Sequence, residues 1–325
     1  MKRLLNSPLI RRSSDILLSP LTLLSSVWYK FVRSGPGNQM PVTEKILMSV
    51  GVLPIRDHYY QPLINPRKYL QKSLREPRVL PGIQWNIDEQ LALLKKFHYQ
   101  DELRSIPLGQ NDAQPLAFYY NNPSLCAADA EFMYSIIRHF KPQRVIEVGC
   151  GYSTRLAVQA EKKNQAENSA HGCDHTCIEP YEMPWLEQLD VKVLRSKVED
   201  LPLSTFASLQ AGDILFIDSS HMIRPQGDVL FEFLQILPTL NPGVLVHVHD
   251  VFTPRDYLKE WIVDQHCQWN EQYLLEAFLS FNSQFRIIGA VNMLKKDYRQ
   301  ALDENLPTTA GRPADEPGSF WMIRN

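Results

Sequence analysis

From Arg144 onward the chain alternates short, almost continuously apolar segments with helical patterns. The apolar segments are RVIEVG (144–149), HTCIEP (175–180), VKVLRS (191–196), DILFIDS (213–219), VLVHVHD (244–250), FRIIGA (285–290) and SFWMIR (319–324). Helical patterns fit between them, most clearly at 152–163, 228–239 and 270–280. Apolar strands separated by helices are typical of a parallel sheet that is covered on both faces. The pattern predicts a doubly wound α/β sheet of seven strands, mostly parallel, with the last strand antiparallel.

The first 110 residues lack this alternation. Residues 36–120 are rich in proline and tyrosine, and their one clear amphipathic helix lies near WNIDEQLALLKKFHY (85–99). We predict a helical or irregular N-terminal extension and cap at 1–110, followed by the sheet domain at 111–325. About 28 residues separate the last two strands, with a helical piece near MLKKDYRQALDE (293–304) and a proline-rich, charged tail through residue 317. An insertion of that length predicts a surface loop or lid.

Residues 1–35 form a basic segment around an apolar middle. Their only acid is Asp15, and the apolar middle reads ILLSPLTLLSSVWYKFV (16–32). The basic residues are Lys2, Arg3, Arg11, Arg12, Lys30 and Arg33. The segment is too short to span a bilayer, which takes about 20 mostly apolar residues. Two interpretations stay open: peripheral contact with a membrane surface, or a helical arm packed on its own domain or on a second copy in a homo-oligomer.

Charge and cysteine content narrow the partners and the compartment. The 34 Lys and Arg residues nearly balance 36 Asp and Glu, so no global field attracts nucleic acid, and we predict no nucleic-acid partner. The five cysteines are odd in number and sparse, which favours a reducing compartment over a disulfide framework. We therefore expect a cytoplasmic protein, with membrane association left open by residues 1–35.

The first strand runs into a glycine turn, VIEVGCGYST (145–154). Gly149 and Gly151 let the backbone turn sharply and approach a ligand, and the next helix begins with unpaired amide groups. A dinucleotide site would have a third glycine where Thr154 stands. Glu147, beside the turn, would repel a pyrophosphate but suits an ammonium group. The turn therefore favours a ligand that carries an ammonium group instead of phosphates.

A second acid supports the same ligand. Glu179 ends the second strand, where a carboxylate can accept both hydroxyls of a ribose. A ligand with a ribose, an ammonium group and no phosphate is S-adenosylmethionine, which we predict as cofactor. The alternative ligand is NAD, in an oxidoreductase or epimerase on a similar Rossmann-like sheet.

With these residues in place, the sequence resembles the class I S-adenosylmethionine-dependent methyltransferases over most of 127–325. The stretch EVGCGYS looks like the corresponding elements of catechol O-methyltransferase, with a shorter spacing. The resemblance implies that Glu147 lies beneath the methionine part of the cofactor and that Ser153 holds its carboxylate. It also implies an adenine contact among Ser196, Lys197, Glu199 and Asp200, of which we choose Asp200.

Two further strands end in acids and histidines, FIDSSH (216–221) and VHVHD (246–250). Because neighbouring parallel strands end at the same edge of the sheet, we expect Asp218, His221, His249 and Asp250 to converge beside the cofactor. Carboxylates and imidazoles in one place can hold a divalent cation, with a general base next to it.

The spacing Asp218-x-x-His221 is similar to the metal aspartate and base of catechol O-methyltransferase and of the macrolide-sugar O-methyltransferases. In those families a pair such as Asp-Asn or Glu-Asp completes the metal shell, whereas this chain has His249-Asp250. A histidine favours softer ions, so Mg²⁺, Mn²⁺ and the absence of a metal all stay open. The resemblance implies that His221 is the base and that Asp218, His249 and Asp250 hold any metal.

The function predicted is methyl transfer to a hydroxyl of a small molecule or sugar. Besides the NAD enzyme, a non-catalytic binding protein that keeps the fold is the other alternative.

Overall fold

The computed structural model describes residues 8–34 and 40–325. The chain divides into two compact units, Met1–Gln71 and Lys72–Asn325, whereas the sequence placed the division after residue 110. Residues 72–110 go with the second unit because Leu94 and Phe97 are buried in the same apolar cluster as strand residues such as Val145.

Among its described residues, the first unit has three helices, α1 (Pro8–Val32), α2 (Pro41–Ser49) and α3 (Pro66–Tyr69). Helix α1 runs without a break through Pro20, although proline has no N–H for the carbonyl of Ile16. The hydroxyl of Ser19 donates to that carbonyl at 2.9 Å and so replaces the missing bond. In the described ranges, 8–34 and 40–325, no helix is both long and apolar enough to cross a membrane. Lys2, Arg3 and residue 35 of the basic segment lie outside these ranges.

The second unit has nine α-helices among the described residues and a seven-stranded sheet. The helices are α4 (Ile87–Leu94), α5 (Gln100–Arg104), α6 (Ala127–Phe140), α7 (Tyr152–Glu167), α8 (Asp228–Phe231), α9 (Leu237–Thr239), α10 (Glu271–Leu279), α11 (Val291–Asp297) and α12 (Arg299–Asn305). The strands are β1 (Arg144–Val148), β2 (Asp174–Ile178), β3 (Lys192–Leu194), β4 (Ile214–Ile217), β5 (Leu245–Val248), β6 (Phe285–Ala290) and β7 (Phe320–Arg324). A π-helical segment, Glu232–Ile236, joins α8 to α9.

The strand order across the sheet is β3-β2-β1-β4-β5-β7-β6. The pairs among β1 to β5 are parallel, and β7 runs antiparallel between β5 and β6. The predicted doubly wound α/β sheet, with seven strands and an antiparallel last strand, is confirmed. The direction of connection reverses between β1 and β4, so the carboxyl ends of these strands open a crevice at the topological switch point.

Side chains alternate between two apolar layers, one on each face of the sheet. On β1, Val145 belongs to the layer that includes α6 and α7, whereas Ile146 belongs to the layer that includes α8 and α9. This alternation follows from the two-residue period of a strand. With both faces covered, only the strand ends are available for a ligand.

The segment between β6 and β7 is not the predicted surface loop or lid. Residues 291–305 form α11 and α12, and Leu294, Leu302 and Leu306 are fully buried in the layer beside α6. Burial of these three side chains fixes the segment against the rest of this apolar layer. The helical piece predicted near 293–304 is thus present as α11 and α12, whereas the prediction of a lid was wrong.

Candidate active site

A cleft of about 960 Å³ lies at the carboxyl ends of β1, β2 and β4. This volume is in the range of sites that enclose a nucleoside-sized ligand. Six of the predicted site residues line the cleft: Gly149, Gly151, Ser153, Glu179, Asp218 and His249.

Gly149 lets the turn after β1 lie directly against the turn after β4. Its φ is +76°, and a Cβ atom placed there would lie 1.8 Å from the carbonyl oxygen of Asp218. Thr154, which replaces the third glycine of a dinucleotide motif, accepts a hydrogen bond from the N–H of Gly151 through its hydroxyl at 3.1 Å. That contact caps the start of α7, so the threonine stabilises the turn.

Replacing Gly149 with alanine should lower the free energy of unfolding by about 3 kcal/mol or more, because the new methyl group meets rigid backbone at a positive φ. Gly151→Ala is the matched control: its nearest contact would be the side chain of Met183 at 3.7 Å, so we expect a loss below about 1 kcal/mol. Urea denaturation of the two variants measures the difference, and equal losses would contradict the close approach at Gly149.

Glu147 lies behind the cleft, not in its lining. Its side chain is fully buried; one carboxylate oxygen accepts the hydroxyl of Ser153, and the other lies 3.1 Å from His175 Nε2. The other ring nitrogen of His175 is 3.1 Å from Glu161. Burial lowers the pKa of His175, but Glu161 and Glu147 raise it by more. The pKa of His175 therefore lies well above its ordinary value. Glu147 therefore does not line the cleft itself, but it accepts a hydrogen bond from Ser153, which does.

Glu179 keeps one oxygen available to a ligand. Its Oε1 accepts the backbone N–H groups of Tyr181 and Glu182 at 2.8 and 2.9 Å, which fixes the carboxylate at the end of β2. A carboxylate oriented in this way has Oε2 left for the hydroxyl groups of a ribose.

Asp200 is exposed and lies outside the cleft lining, whereas Lys197 and Glu199 line it. The short turn Val198–Asp200 buries Val198, and this orients Glu199 toward the cleft and Asp200 away from it. The structure therefore favours Glu199 over our choice of Asp200 for the adenine contact. The sequence contains no signal that distinguishes these two adjacent acids.

Asp218, His221 and Asp250 converge as expected. His221 Nε2 is 3.3 Å from Asp218 Oδ1 and 3.5 Å from Asp250 Oδ2. Donor atoms of the three side chains all lie within 4.8 Å of one another, a spacing compatible with one metal ion. Burial lowers the pKa of His221, but Asp218 and Glu271 together raise it well above its ordinary value.

His249 borders the same group from the end of β5. Its Nε2 is 3.7 Å from Asp250 Oδ1, and its buried Nδ1 has no hydrogen-bond partner among the residues that the structure describes. Burial lowers the pKa of His249, whereas Asp218 and Asp250 raise it, and the net direction is upward.

The backbone at His221 and Asp250 is held in an uncommon conformation. Their φ values are +59° and +56°, in the left-handed region that few residues other than glycine adopt. The carbonyl oxygen of His221 accepts the N–H groups of Asn270 and Glu271 at 3.1 and 3.2 Å, so the start of α10 holds the loop in place. Strained backbone of this kind is concentrated at functional sites.

Glu271 is the residue that sequence reasoning missed. Its Oε2 lies 2.8 Å from His221 Nδ1, and its side chain is 1% exposed. A glutamate in the first turn of a helix looks like an ordinary partner of the helix dipole, so the sequence contains no signal for this contact. The contact orients the imidazole so that Nε2 points at the two aspartates.

Parts of the chain are similar to known proteins. Residues 146–251 match the family model of a methyltransferase domain. An uncharacterized protein of Archaeoglobus fulgidus is 25% identical over 177 residues, which make up 51% of this chain and 78% of that protein. The structure of an O-methyltransferase from Bacillus cereus in complex with SAH is 13% identical, covers 74% of this chain and 98% of that chain, and has a TM-score of 0.39.

The sheet order, with its antiparallel β7 between β5 and β6, and the match over 146–251 define a class I methyltransferase fold. The chain accordingly contains a methyltransferase domain, as the glycine turn and Glu179 predicted.

Proposed function

We propose that this enzyme transfers the methyl group to a hydroxyl of a small molecule or sugar, with His221 as general base. The observation that carries the proposal is the contact of His221 Nδ1 with the buried carboxylate of Glu271, which leaves Nε2 facing Asp218 and Asp250. A histidine oriented in this way beside a cofactor cleft has the geometry of a general base.

The cofactor is proposed to lie in the cleft across β1 and β2. The amide groups at the start of α7 and the hydroxyl of Ser153, which lines the cleft, would hold the methionine end, and Glu179 Oε2 would accept the ribose hydroxyls. Glu199 replaces Asp200 as our candidate for the adenine side. Glu147 then acts through Ser153, whose hydroxyl it orients.

In the reaction, the acceptor oxygen forms a bond to the methyl carbon while the bond from that carbon to sulfur breaks. The electron pair of the broken bond stays on sulfur, so the neutral thioether leaves. The proton of the acceptor hydroxyl passes to His221 Nε2, and the Nδ1–H group of His221 donates to Glu271 throughout. Alignment of the two reacting atoms in the cleft supplies a large part of the rate increase.

The donor set fits a divalent cation. The carboxylates of Asp218 and Asp250 converge with the imidazole of His221 within 4.8 Å. His249 borders them, and its buried Nδ1 has no hydrogen-bond partner among the described residues. We propose that Asp218 and Asp250, with His249, hold Mg²⁺ or Mn²⁺, an ion that would stabilise the negative charge on the acceptor oxygen. The mixed oxygen and nitrogen donors favour Mn²⁺ over Mg²⁺.

Glu271 is proposed as the positioning residue for His221. We expect Glu271→Gln to lower kcat by about 10- to 100-fold, as loss of a carboxylate behind a functional histidine commonly does, with unchanged affinity for S-adenosylmethionine. Because Glu271 raises the pKa of His221, its removal should also move the acid limb of the kcat profile to lower pH. An exposed acid, Glu260→Gln, is the matched control. A kcat loss without any movement of the pH profile would indicate a merely structural role.

The function as a whole is tested by two measurements on the full chain. Thermal shift should show stabilisation by S-adenosylmethionine and none by NAD, which separates methyl transfer from the dehydrogenase alternative. Incubation with a panel of phenols and sugars should yield a product methylated on oxygen, identified by mass spectrometry and by the loss of an exchangeable proton. Methylation of nitrogen alone would overturn the proposal of O-methyl transfer.

A further inference from the structure

Helix α1 exposes an unusual amount of apolar surface. Leu17, Leu21 and Leu24 are 78, 62 and 68% exposed, and Trp28 and Phe31 are 45 and 62% exposed. Single exposed apolar residues are common, but a continuous stripe along a helix marks an interaction surface.

The polar residues of α1 lie on the opposite face. At about 100° per residue, Arg12, Ser19, Ser26 and Lys30 fall within an arc of roughly 40°, with the acid Asp15 at its edge, opposite the stripe that contains Leu17, Leu24 and Trp28. The hydroxyl groups of Ser19 and Ser26 donate to carbonyls of the helix itself, to Ile16 and Thr22. The polar face therefore presents mainly positive charge.

The charge of the two units is strongly asymmetric. Residues 1–71 contain ten Lys or Arg against three Asp or Glu, whereas the rest of the chain has 24 against 33. A chain that is almost neutral as a whole thus concentrates its positive charge in the unit with the exposed apolar helix. Such a separation points to an anionic partner of the first unit.

We propose that α1 binds peripherally to an anionic lipid surface. The helix has 25 residues and is about 37 Å long, so it can lie in the interface with its apolar stripe in the acyl boundary and its basic residues at the headgroups. The proposal goes beyond the methyltransferase activity and does not depend on the acceptor.

An anionic lipid surface complements both the apolar and the basic face of α1, whereas each of the other partners complements only one of these faces. A second copy would cover the apolar stripe but would place two basic units against each other. A nucleic acid would neutralise the basic residues but would leave the apolar stripe in water. An anionic bilayer buries the stripe and pairs with the charges at once.

The test is co-sedimentation of the full chain with vesicles of phosphatidylcholine alone and of phosphatidylcholine with phosphatidylglycerol. We expect at least about tenfold stronger binding to the anionic vesicles, since each basic residue near the surface contributes about 1 kcal/mol. The double variant Leu17→Gln/Leu24→Gln should lose at least about tenfold in binding, because it removes apolar burial. Thr22→Gln/Ser26→Gln, on the polar face, is the matched control and should change binding less than about twofold.

Stabilisation of both variants by S-adenosylmethionine shows that the second unit is folded, and glutamine is a good helix former, so α1 should persist. Equal binding of the leucine variant and the polar-face variant would overturn the proposal, as would absence of the wild-type chain from the anionic pellet. A wild-type dimer that dissociates in the leucine variant, without vesicle binding, would assign the stripe to a second copy and also overturn it. Binding of RNA or DNA without vesicles would have the same consequence.

Discussion

Replacing His221 with alanine should lower kcat by about 100- to 10,000-fold and leave the affinity for S-adenosylmethionine within about twofold. The loss follows because His221 Nε2 is the proposed proton acceptor, whereas the carboxylates of Asp218 and Asp250, 3.3 and 3.5 Å away, are proposed to hold the cation. Cofactor affinity should persist because His221 does not line the cleft. Steady-state kinetics and calorimetric titration with S-adenosylmethionine measure the two quantities.

The alanine also leaves Glu271 without its partner, so His221→Gln provides a second variant that can still donate to that carboxylate. Both variants should lose the activity, since neither side chain accepts a proton near neutral pH. The exposed His98→Ala is the control for general effects of removing a histidine. Near-native turnover in His221→Gln would show that the proton leaves by another route.

Removal of divalent cations should produce the second large effect. We expect a chelator to lower the turnover of the wild-type enzyme by at least about 100-fold, and added Mn²⁺ or Mg²⁺ to restore it. Asp218→Asn and Asp250→Asn should reach the same low level and recover little with added metal. The loss follows because each amide removes one of the two negative charges that would hold the ion.

Asp190→Asn, an exposed acid, is the control for this series. Full turnover of the wild-type enzyme in the presence of a chelator would show that the reaction needs no divalent cation. Without a cation, the carboxylates of Asp218 and Asp250 would directly stabilise His221 after it has taken up the proton.

The sequence predicted the elements that repeat a simple physical pattern. Apolar segments such as Val244–Val248 can be buried on both faces only as strands of a covered sheet, so all seven strands were found. The glycine turn predicted the position of the cleft because Gly149 alone allows contact with the backbone of Asp218. Local sequence was sufficient in these cases because the determining contacts lie within, or at the ends of, neighbouring strands.

Contacts between residues that are far apart in the chain could not be predicted from the local sequence. Glu271 lies 50 residues from His221, and only the packing of α10 on the loop after β4 brings them together. The burial of Glu147 depends likewise on His175, from the neighbouring strand. For α12, apolar spacing was present in the sequence, but a proline-rich, charged tail after it favoured the wrong prediction of a lid.

The most direct test is a crystal soaked with S-adenosylhomocysteine and Mn²⁺ at saturating concentration. We predict the nucleoside in the cleft with its ribose hydroxyls at Glu179, and an anomalous peak between Asp218 and Asp250. We also predict that the sulfur of S-adenosylhomocysteine faces the same end of the cleft as His221 Nε2. A cofactor whose sulfur points away from His221, or the absence of an anomalous peak at saturating Mn²⁺, would contradict the proposed site.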